Sequence, residues 1–328
     1  MRDLQVDYLS PRGPVRAVDG ISFSIQPGEV FGLAGESGSG KSTVAHALIR
    51  ILPPPAVISG GEVLVRGRSV FALSDAELER FRWREVAMVF QSAMNALNPV
   101  MTISDQIEDT ILAHEPVSKR MARERAAALL ETVGINSARL DAYPHQLSGG
   151  MRQRAVIAIA LALQPALIVM DEPTTALDVV VQQEILHQIE ALRRELGFSI
   201  LFITHDLSLL VERADRIAIM YAGQIVELAP SRDLLDDPLH PYTQGLMSSF
   251  PSLTGERQHL TGIPGSPPHM LHPPSGCRFH PRCARVQPSH RRIVPRLREA
   301  KPGHFVACHL YAAEPSGREA VRTGGRHG

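Results

Sequence analysis

Residues 35–42 read Gly35-Glu36-Ser37-Gly38-Ser39-Gly40-Lys41-Ser42 and fit the pattern G-x-x-x-x-G-K-S. Glycines at this spacing let the backbone wrap an oxyanion closely. The N–H groups of the loop, and of the helix opening at Thr43, then point at phosphate oxygens. Lys41 would reach β- and γ-phosphates, and the Ser42 hydroxyl would ligate Mg²⁺. The chain has only three lysines, Lys41, Lys119 and Lys301, among 34 basic residues. A lysine kept here marks a place where a compact ammonium matters. The bland alternative is a flexible loop of no function. A second chemical feature is Leu167-Ile168-Val169-Met170-Asp171-Glu172, an apolar run closed by two carboxylates. At the end of a buried strand, Asp171 would hold Mg²⁺. Glu172 would polarise an attacking water as general base, a role worth about 10²- to 10⁴-fold in rate.

These groups need elements to aim them. Val30–Ala34 is continuously apolar and predicts a buried parallel strand running into the glycine loop, with a helix over Thr43–Ile51 beyond it. Ile21, Phe23 and Ile25 predict one face of an earlier strand, closed by a turn at Gln26–Glu29. Gly60–Val70 predicts a hairpin, and Val86–Phe90, Leu167–Met170 and Ile200–Ile203 predict further buried strands. From Asn95 to about Ala142 the pattern turns helical, most clearly over Met121–Thr132. Val180–Leu196 predicts a helix ended by Gly197 as C-cap. Ile217–Met220 and Gln224–Leu228, joined by Ala222-Gly223, predict a hairpin. Alternating strands and helices make this an α/β chain.

Composition narrows the class. Over 328 residues, 44% are hydrophobic and 21% charged, ordinary for a globular protein, so disorder throughout is excluded. The longest apolar run, Ala155–Leu163, stops at Gln164-Pro165, short of the roughly 18 residues of a membrane span. Arg2, Asp3 and Asp7 interrupt the start, so no signal peptide is expected. The 34 basic residues balance 34 acidic ones, which argues against a nucleic-acid partner. After Pro230 prolines become frequent and all three cysteines follow. A boundary is expected near 230, with an irregular appendage beyond and a frayed tail from Glu314.

The run Leu147-Ser148-Gly149-Gly150-Met151, followed by Arg152-Gln153-Arg154 and placed before the acidic strand, resembles the signature of ATP-binding-cassette (ABC) transporter subunits. The resemblance implies a P-loop NTPase fold: a RecA-like core with a β-subdomain and a helical subdomain over about 92–154. It implies ATP and Mg²⁺ as cofactors. It also implies a second cassette subunit as partner, because Ser148, Gly149 and Gly150 would serve the ATP held by that subunit. Gln91 resembles the family's Q-loop residue, which touches Mg²⁺. Ala176-Leu177-Asp178 resembles the D-loop, and His205 the switch histidine on the γ-phosphate. A lone histidine is more often structural; within this family pattern the functional reading leads. Tyr8 is the candidate for stacking on adenine, with Val15 or Arg16 as alternatives. Relative to the family the first edge strand is short at Met1, so the resemblance leaves the true start open.

Asn95-Ala96-Leu97-Asn98-Pro99 and His240-Pro241-Tyr242-Thr243 resemble the oligopeptide/dipeptide and nickel importer branch, as does the tail running from Cys277 through Cys283 to Cys308. In a reducing compartment these three are thiols rather than disulfides. Cys277 and Cys283 are too far apart for a zinc knuckle. The resemblance places His290 at the third of the family's four ligand positions and leaves three fates open: a [4Fe–4S] cluster, Zn²⁺, or free thiols. The basic residues Arg278, Arg282, Arg285, Arg291, Arg292, Arg296, Arg298 and Lys301 read as a solvated surface, or as a contact for the partner cassette or acidic lipid.

The expectation is therefore an ATPase over residues 1–230 with an importer-type extension over 231–328. It would power peptide uptake from the cytoplasmic face of the cell membrane, with two permease subunits and an extracytoplasmic peptide-binding protein. The alternatives are a nickel or other small-solute importer ATPase, an exporter cassette, and a non-transport ABC ATPase. A metal-binding regulatory module would describe residues 260–310 alone.

Overall fold

The computed structural model describes residues 1–91, 96–173, 178–248 and 262–311. The predicted buried runs form strands at the centre of one sheet, and each side chain alternates faces with period two. The strands are β1 (Arg2–Ser10), β2 (Gly13–Ile21), β3 (Val30–Ala34), β4 (Ala56–Glu62), β5 (Leu64–Val65), β6 (Arg68–Ser69), β7 (Val86–Val89), β8 (Leu167–Asp171), β9 (Ser199–Ile203), β10 (Arg216–Tyr221), β11 (Gln224–Pro230), β12 (Arg298–Lys301) and β13 (His304–Val306). The large sheet has the order β12-β13-β11-β10-β3-β9-β8-β7. From β10 to β7 its strands are parallel, and β11 and β13 add on antiparallel.

Two cores lie on the sheet's two faces. Ile168, Met170, Ile200, Phe202, Ile217 and Ile219 belong to one. Val169, Leu201, Ile203, Ala218, Met220, Phe31 and Leu33 belong to the other. The helices are α1 (Lys41–Leu48), α2 (Asp75–Phe81), α3 (Ile103–His114), α4 (Lys119–Thr132), α5 (Gly149–Leu161), α6 (Val179–Leu196), α7 (Leu207–Arg213), α8 (Ser231–Asp236) and α9 (Pro241–Met247). Helices α3, α4 and α5 pack on one another, and α5 also packs on β7 and α6. Their starts follow the side-chain oxygens: Thr102 closes a capping box on α3, while Ser118 caps α4. Gly197 ends α6 at φ 75°, as expected of a left-handed cap. On the other face, β2-β1-β4 form a three-stranded antiparallel sheet.

The differences from expectation have local causes. β2 stops at Ile21, and Phe23 instead stacks on Phe31 with ring centroids 4.8 Å apart. The stretch read as a hairpin over 60–70 divides between β4, which pairs with β1, and the short ribbon β5-β6. Helix α1 begins two residues before Thr43, at Lys41 itself. The appendage is not wholly irregular, because β13 joins β11 and carries β12 with it. Residues of β12 are exposed throughout, so they bear no alternation from which a strand could be read. No helix among the described residues is long and apolar enough to cross a membrane.

Candidate functional site

The carboxyl ends of the neighbouring strands β3, β9, β8 and β7 supply the groups of the site. Between β3 and α1 the loop takes positive φ at Gly35, Gly38 and Gly40. A Cβ on Gly35 would overlap the Met220 carbonyl oxygen, and one on Gly40 the Ala17 carbonyl oxygen, so only glycine lets the loop sit this close. The turn of the β10–β11 hairpin braces it: Gly223 N–H donates to the Ser39 carbonyl at 2.9 Å. Helix α1 has no side-chain cap, which leaves its N-terminal dipole to an anion.

Lys41 is buried, and its Nζ donates to the carbonyls of Gly35 and Glu36 at 2.8 and 3.0 Å. Ser39 Oγ lies 3.4 Å away. Burial lowers the Lys41 pKa, while the charges of Glu172, Asp171 and Glu36 oppose the shift. Asp171, at the end of β8, is 3% exposed. Burial raises its pKa, against a hydrogen bond from Ser42 and the nearby His46 and Lys41. Its Oδ1 is buried without a hydrogen-bond partner among the described residues. A hydroxyl beside a buried carboxylate with an unused oxygen is a donor set that fits Mg²⁺.

Glu172 is held at φ 47°, with its N–H donating to the Ile203 carbonyl at 2.8 Å. That conformation is costly for a side chain bearing a Cβ, and it turns the carboxylate out of the strand. Gln91 Nε2 donates to Glu172 Oε2 at 2.8 Å. His205 Nδ1 lies 2.9 Å from Glu172 Oε1, a bond its Nδ1–H tautomer donates. The three expected catalytic residues are thus one hydrogen-bonded set, with Glu172 16% and His205 64% exposed at the side chain. Gln91, also expected on Mg²⁺, gives its amide nitrogen to Glu172.

Tyr8, in β1, brings its hydroxyl to 3.4 Å from Thr43 Oγ1 in the first turn of α1. Of its alternatives, Val15 pairs with Tyr8 across the β1–β2 ladder. Arg16 is committed to Asp7 at 2.5 Å, Gln5 at 2.9 Å and Asp19 at 3.2 Å. Ser148 caps α5 by accepting from Met151 N–H at 3.3 Å, and Gly150 packs where a Cβ would press on Val181 Cγ1. No hydrogen bond among the described residues joins Ser148, Gly149 or Gly150 to residues 35–43. Asp178 caps α6 by accepting from Val181 N–H at 3.0 Å, while Ala176 and Leu177 lie outside the described residues.

The extension reaches this site in a way the sequence did not announce. Residues 240–243, which in isolation read as a turn, open α9. His240 Nδ1 accepts from Tyr242 N–H at 3.0 Å. Burial lowers the His240 pKa to about 4, so the ring is neutral, as an acceptor must be. Beneath it the fully buried Glu227 accepts from the N–H groups of Leu239 and His240 at 2.7 and 2.9 Å, and contacts His304 Nε2 at 2.7 Å. Two of the basic residues are not solvated. Arg278 pairs with Asp19 at 2.6 Å and Arg282 with Glu36 at 2.7 Å, with side chains 11% and 5% exposed.

Cys277, Cys283, Cys308 and His290 line one small cavity, together with His240 and His309. They do not fit a metal centre as they stand. No group of three or more His, Cys, Asp or Glu among the described residues is set to hold a metal ion. Burial pushes the Cys277 thiol up, and the Cys308 thiol up to about 11, so both are protonated as they stand. His290 Nδ1 accepts from Gln287 N–H at 3.2 Å, and its ring stacks on His309 at 4.6 Å. None of the three cysteines is paired in a disulfide among the described residues, as expected of thiols in a reducing compartment.

Comparison with known proteins fits this geometry. The family model for the ABC transporter matches residues 18–175, and that for the oligopeptide/dipeptide transporter C-terminal region matches 226–289. An oligopeptide transport ATP-binding protein of Bacillus subtilis is 45% identical over 284 residues, covering 85% of this chain and 79% of its own. A putative peptide import ATP-binding protein of Brucella abortus is 47% identical over 289 residues, covering 88% and 87%. A dipeptide transport ATP-binding protein of Bacillus subtilis is 41% identical over 313 residues, covering 94% and 93%. Among solved structures, a dimeric ATP-binding cassette in a post-hydrolysis state with ADP and Pi matches with a TM-score of 0.62 at 29% identity, over 70% of this chain and 97% of that one. The chain belongs to the ATP-binding subunits of ABC transporters, in the branch that carries the oligopeptide/dipeptide-type C-terminal region.

Proposed function

We propose that this chain is the ATP-hydrolysing subunit of a peptide importer. The observation that carries the reading is the set Gln91–Glu172–His205, assembled at the strand ends beside the glycine loop and Lys41. ATP would seat its triphosphate on the N–H groups of residues 35–43, with Lys41 exchanging its two loop carbonyls for β- and γ-phosphate oxygens. Mg²⁺ supplies positive charge against the transferring phosphoryl group when bound. Ser42 and the free Oδ1 of Asp171 are the residues that would hold it. Glu172 accepts the proton of the attacking water. Gln91 and His205 hold its two oxygens in place, and His205 can turn to the γ-phosphate. Tyr8 stands beside α1 where adenine would lie.

No hydrogen bond among the described residues ties Ser148, Gly149 or Gly150 to the chain's own loop, which suits a second cassette subunit: each chain would offer its signature to the other's ATP. Asp178 would line the same interface. The two cassettes would sit on the cytoplasmic face of the cell membrane beneath two permease subunits, fed by an extracytoplasmic peptide-binding protein. The named transport ATP-binding relatives support peptide as cargo. The domain reading is an ATPase over 1–230 and an extension over 231–328 that packs back upon it. Reconstitution of the cassettes with permease subunits in vesicles tests the proposal. ATP turnover should rise with binding protein and peptide together. Turnover stimulated by nickel but not by any peptide would overturn the assigned cargo.

A further inference from the structure

The C-terminal extension grips the phosphate loop from outside. Arg282 Nη1 and Nη2 donate to Glu36 Oε2 and Oε1 at 2.7 and 3.0 Å, a two-pronged pair across 246 residues of sequence. Arg282 Nε donates to the Pro264 carbonyl at 2.8 Å. The guanidinium also lies over the rings of Tyr221 and Phe279, at 5.7 and 6.0 Å. Independently, Glu36 N–H donates to the Tyr242 hydroxyl at 2.9 Å. Tyr242 is fully buried, and its ring packs on Tyr221 at 4.7 Å and Phe279 at 5.5 Å. Glu36 is therefore held at backbone and carboxylate by two residues that lie beyond the last strand of the cassette hairpin.

Position 36 is one residue into a loop built to receive a triphosphate. An unpaired carboxylate there would repel the ligand, and the partly desolvated surroundings would strengthen the repulsion. A buried guanidinium on both of its oxygens cancels that charge. Pairing with Glu36 also raises the Arg282 pKa, so the cation persists at every physiological pH.

We propose that Arg282 is a positioning residue for nucleotide binding: it neutralises Glu36 and, with Tyr242, fixes the phosphate loop, so that the extension sets the affinity for ATP. The inference rests on residues 35–42 being the nucleotide site. The test is displacement of a fluorescent ATP analogue from the purified full chain, paired with KM and kcat in the assembled transporter. Arg282→Ala should weaken ATP binding and raise KM about ten-fold, with kcat within about two-fold of wild type. Adding Glu36→Gln to Arg282→Ala should bring the affinity back to within about three-fold, because the stranded charge is gone. A purely structural role would show no such rescue. Unchanged affinity in Arg282→Ala, or a double variant as weak as the single, would overturn the proposal. If Arg282→Ala does not fold, Arg282→Lys and Tyr242→Phe decide instead: each should raise KM about three-fold, and no change in either overturns it. A wild-type chain that binds ATP no better than Lys41→Ala would overturn the nucleotide-site reading, and this inference with it.

Discussion

Glu172 and His205 are 33 positions apart, yet His205 Nδ1 lies 2.9 Å from Glu172 Oε1. β8 and β9 cause this by pairing in parallel with Asp171 opposite Ile203, which places the residues just past each strand side by side. The positive φ of Glu172 then turns its carboxylate toward the imidazole instead of along the strand. Replacing the ring leaves the base in place but removes the contact at its Oε1. His205→Ala in the assembled complex should lower kcat by about 10²-fold while ATP binding stays within about three-fold of wild type. Steady-state ATPase with parallel nucleotide titration checks it; an unchanged kcat would remove His205 from the catalytic set.

Asp171 combines burial with an oxygen that has no hydrogen-bond partner among the described residues. Its folded-state pKa is raised above the usual value of 3.8. The sign follows directly: above that raised pKa the folded chain carries a buried charge that the unfolded chain solvates, so stability falls as pH rises through the window from 3.8 upward. Asp171→Asn should therefore raise the Tm of the nucleotide-free chain at pH 7, by about 2 °C. The same variant should abolish Mg²⁺-dependent turnover. Calorimetry beside an activity assay checks both halves, and a lowered Tm would contradict the burial argument.

The parallel sheet was legible because buried strands such as Val30–Ala34 and Ile200–Ile203 are apolar on both faces, and their ends carry glycine loops, acids or His205. Positions named for the site came from local motifs, and the fold gathered the catalytic three. What stayed hidden depends on contacts between distant segments. Arg282 sits in a run of arginines that looks solvated, and only the packed structure shows it on Glu36. Strand β12 is exposed along its whole length, so its residues carry no alternation that marks a strand. The cysteines suggested a metal centre by their types, but that the fold gathers Cys277, Cys283, Cys308 and His290 around one small cavity is not written in their spacing.

His240 makes the extension sensitive to acid. Its pKa falls from 6.5 to about 4 on folding, so the unfolded chain binds the extra proton between those values. Stability is therefore complete above pH 6.5 and is lost as pH falls toward 4, on the order of 3 kcal/mol for full protonation. His240→Asn keeps an oxygen to cap α9 and does not titrate. Urea unfolding at pH 7 and pH 5 should show a smaller pH-dependent loss in that variant than in wild type. Equal losses would place the acid sensitivity elsewhere.

Gly40 opens α1 at φ 106°, with no room for a Cβ before the Ala17 carbonyl oxygen. Gly40→Ala should weaken ATP binding by 100-fold or more, a loss of about 3 kcal/mol, while far-ultraviolet circular dichroism keeps the wild-type helix and strand content. Nucleotide titration checks it, and wild-type affinity would show that the loop does not hold the phosphates.

The most direct measurement concerns Glu172, because its two carboxylate oxygens join Gln91 to His205. Glu172→Gln keeps the shape of the side chain but cannot accept a proton. In the reconstituted transporter this variant should bind Mg²⁺-ATP at least as well as wild type, with turnover about 10²- to 10⁴-fold lower. Hydrolysis at the wild-type rate would contradict the account.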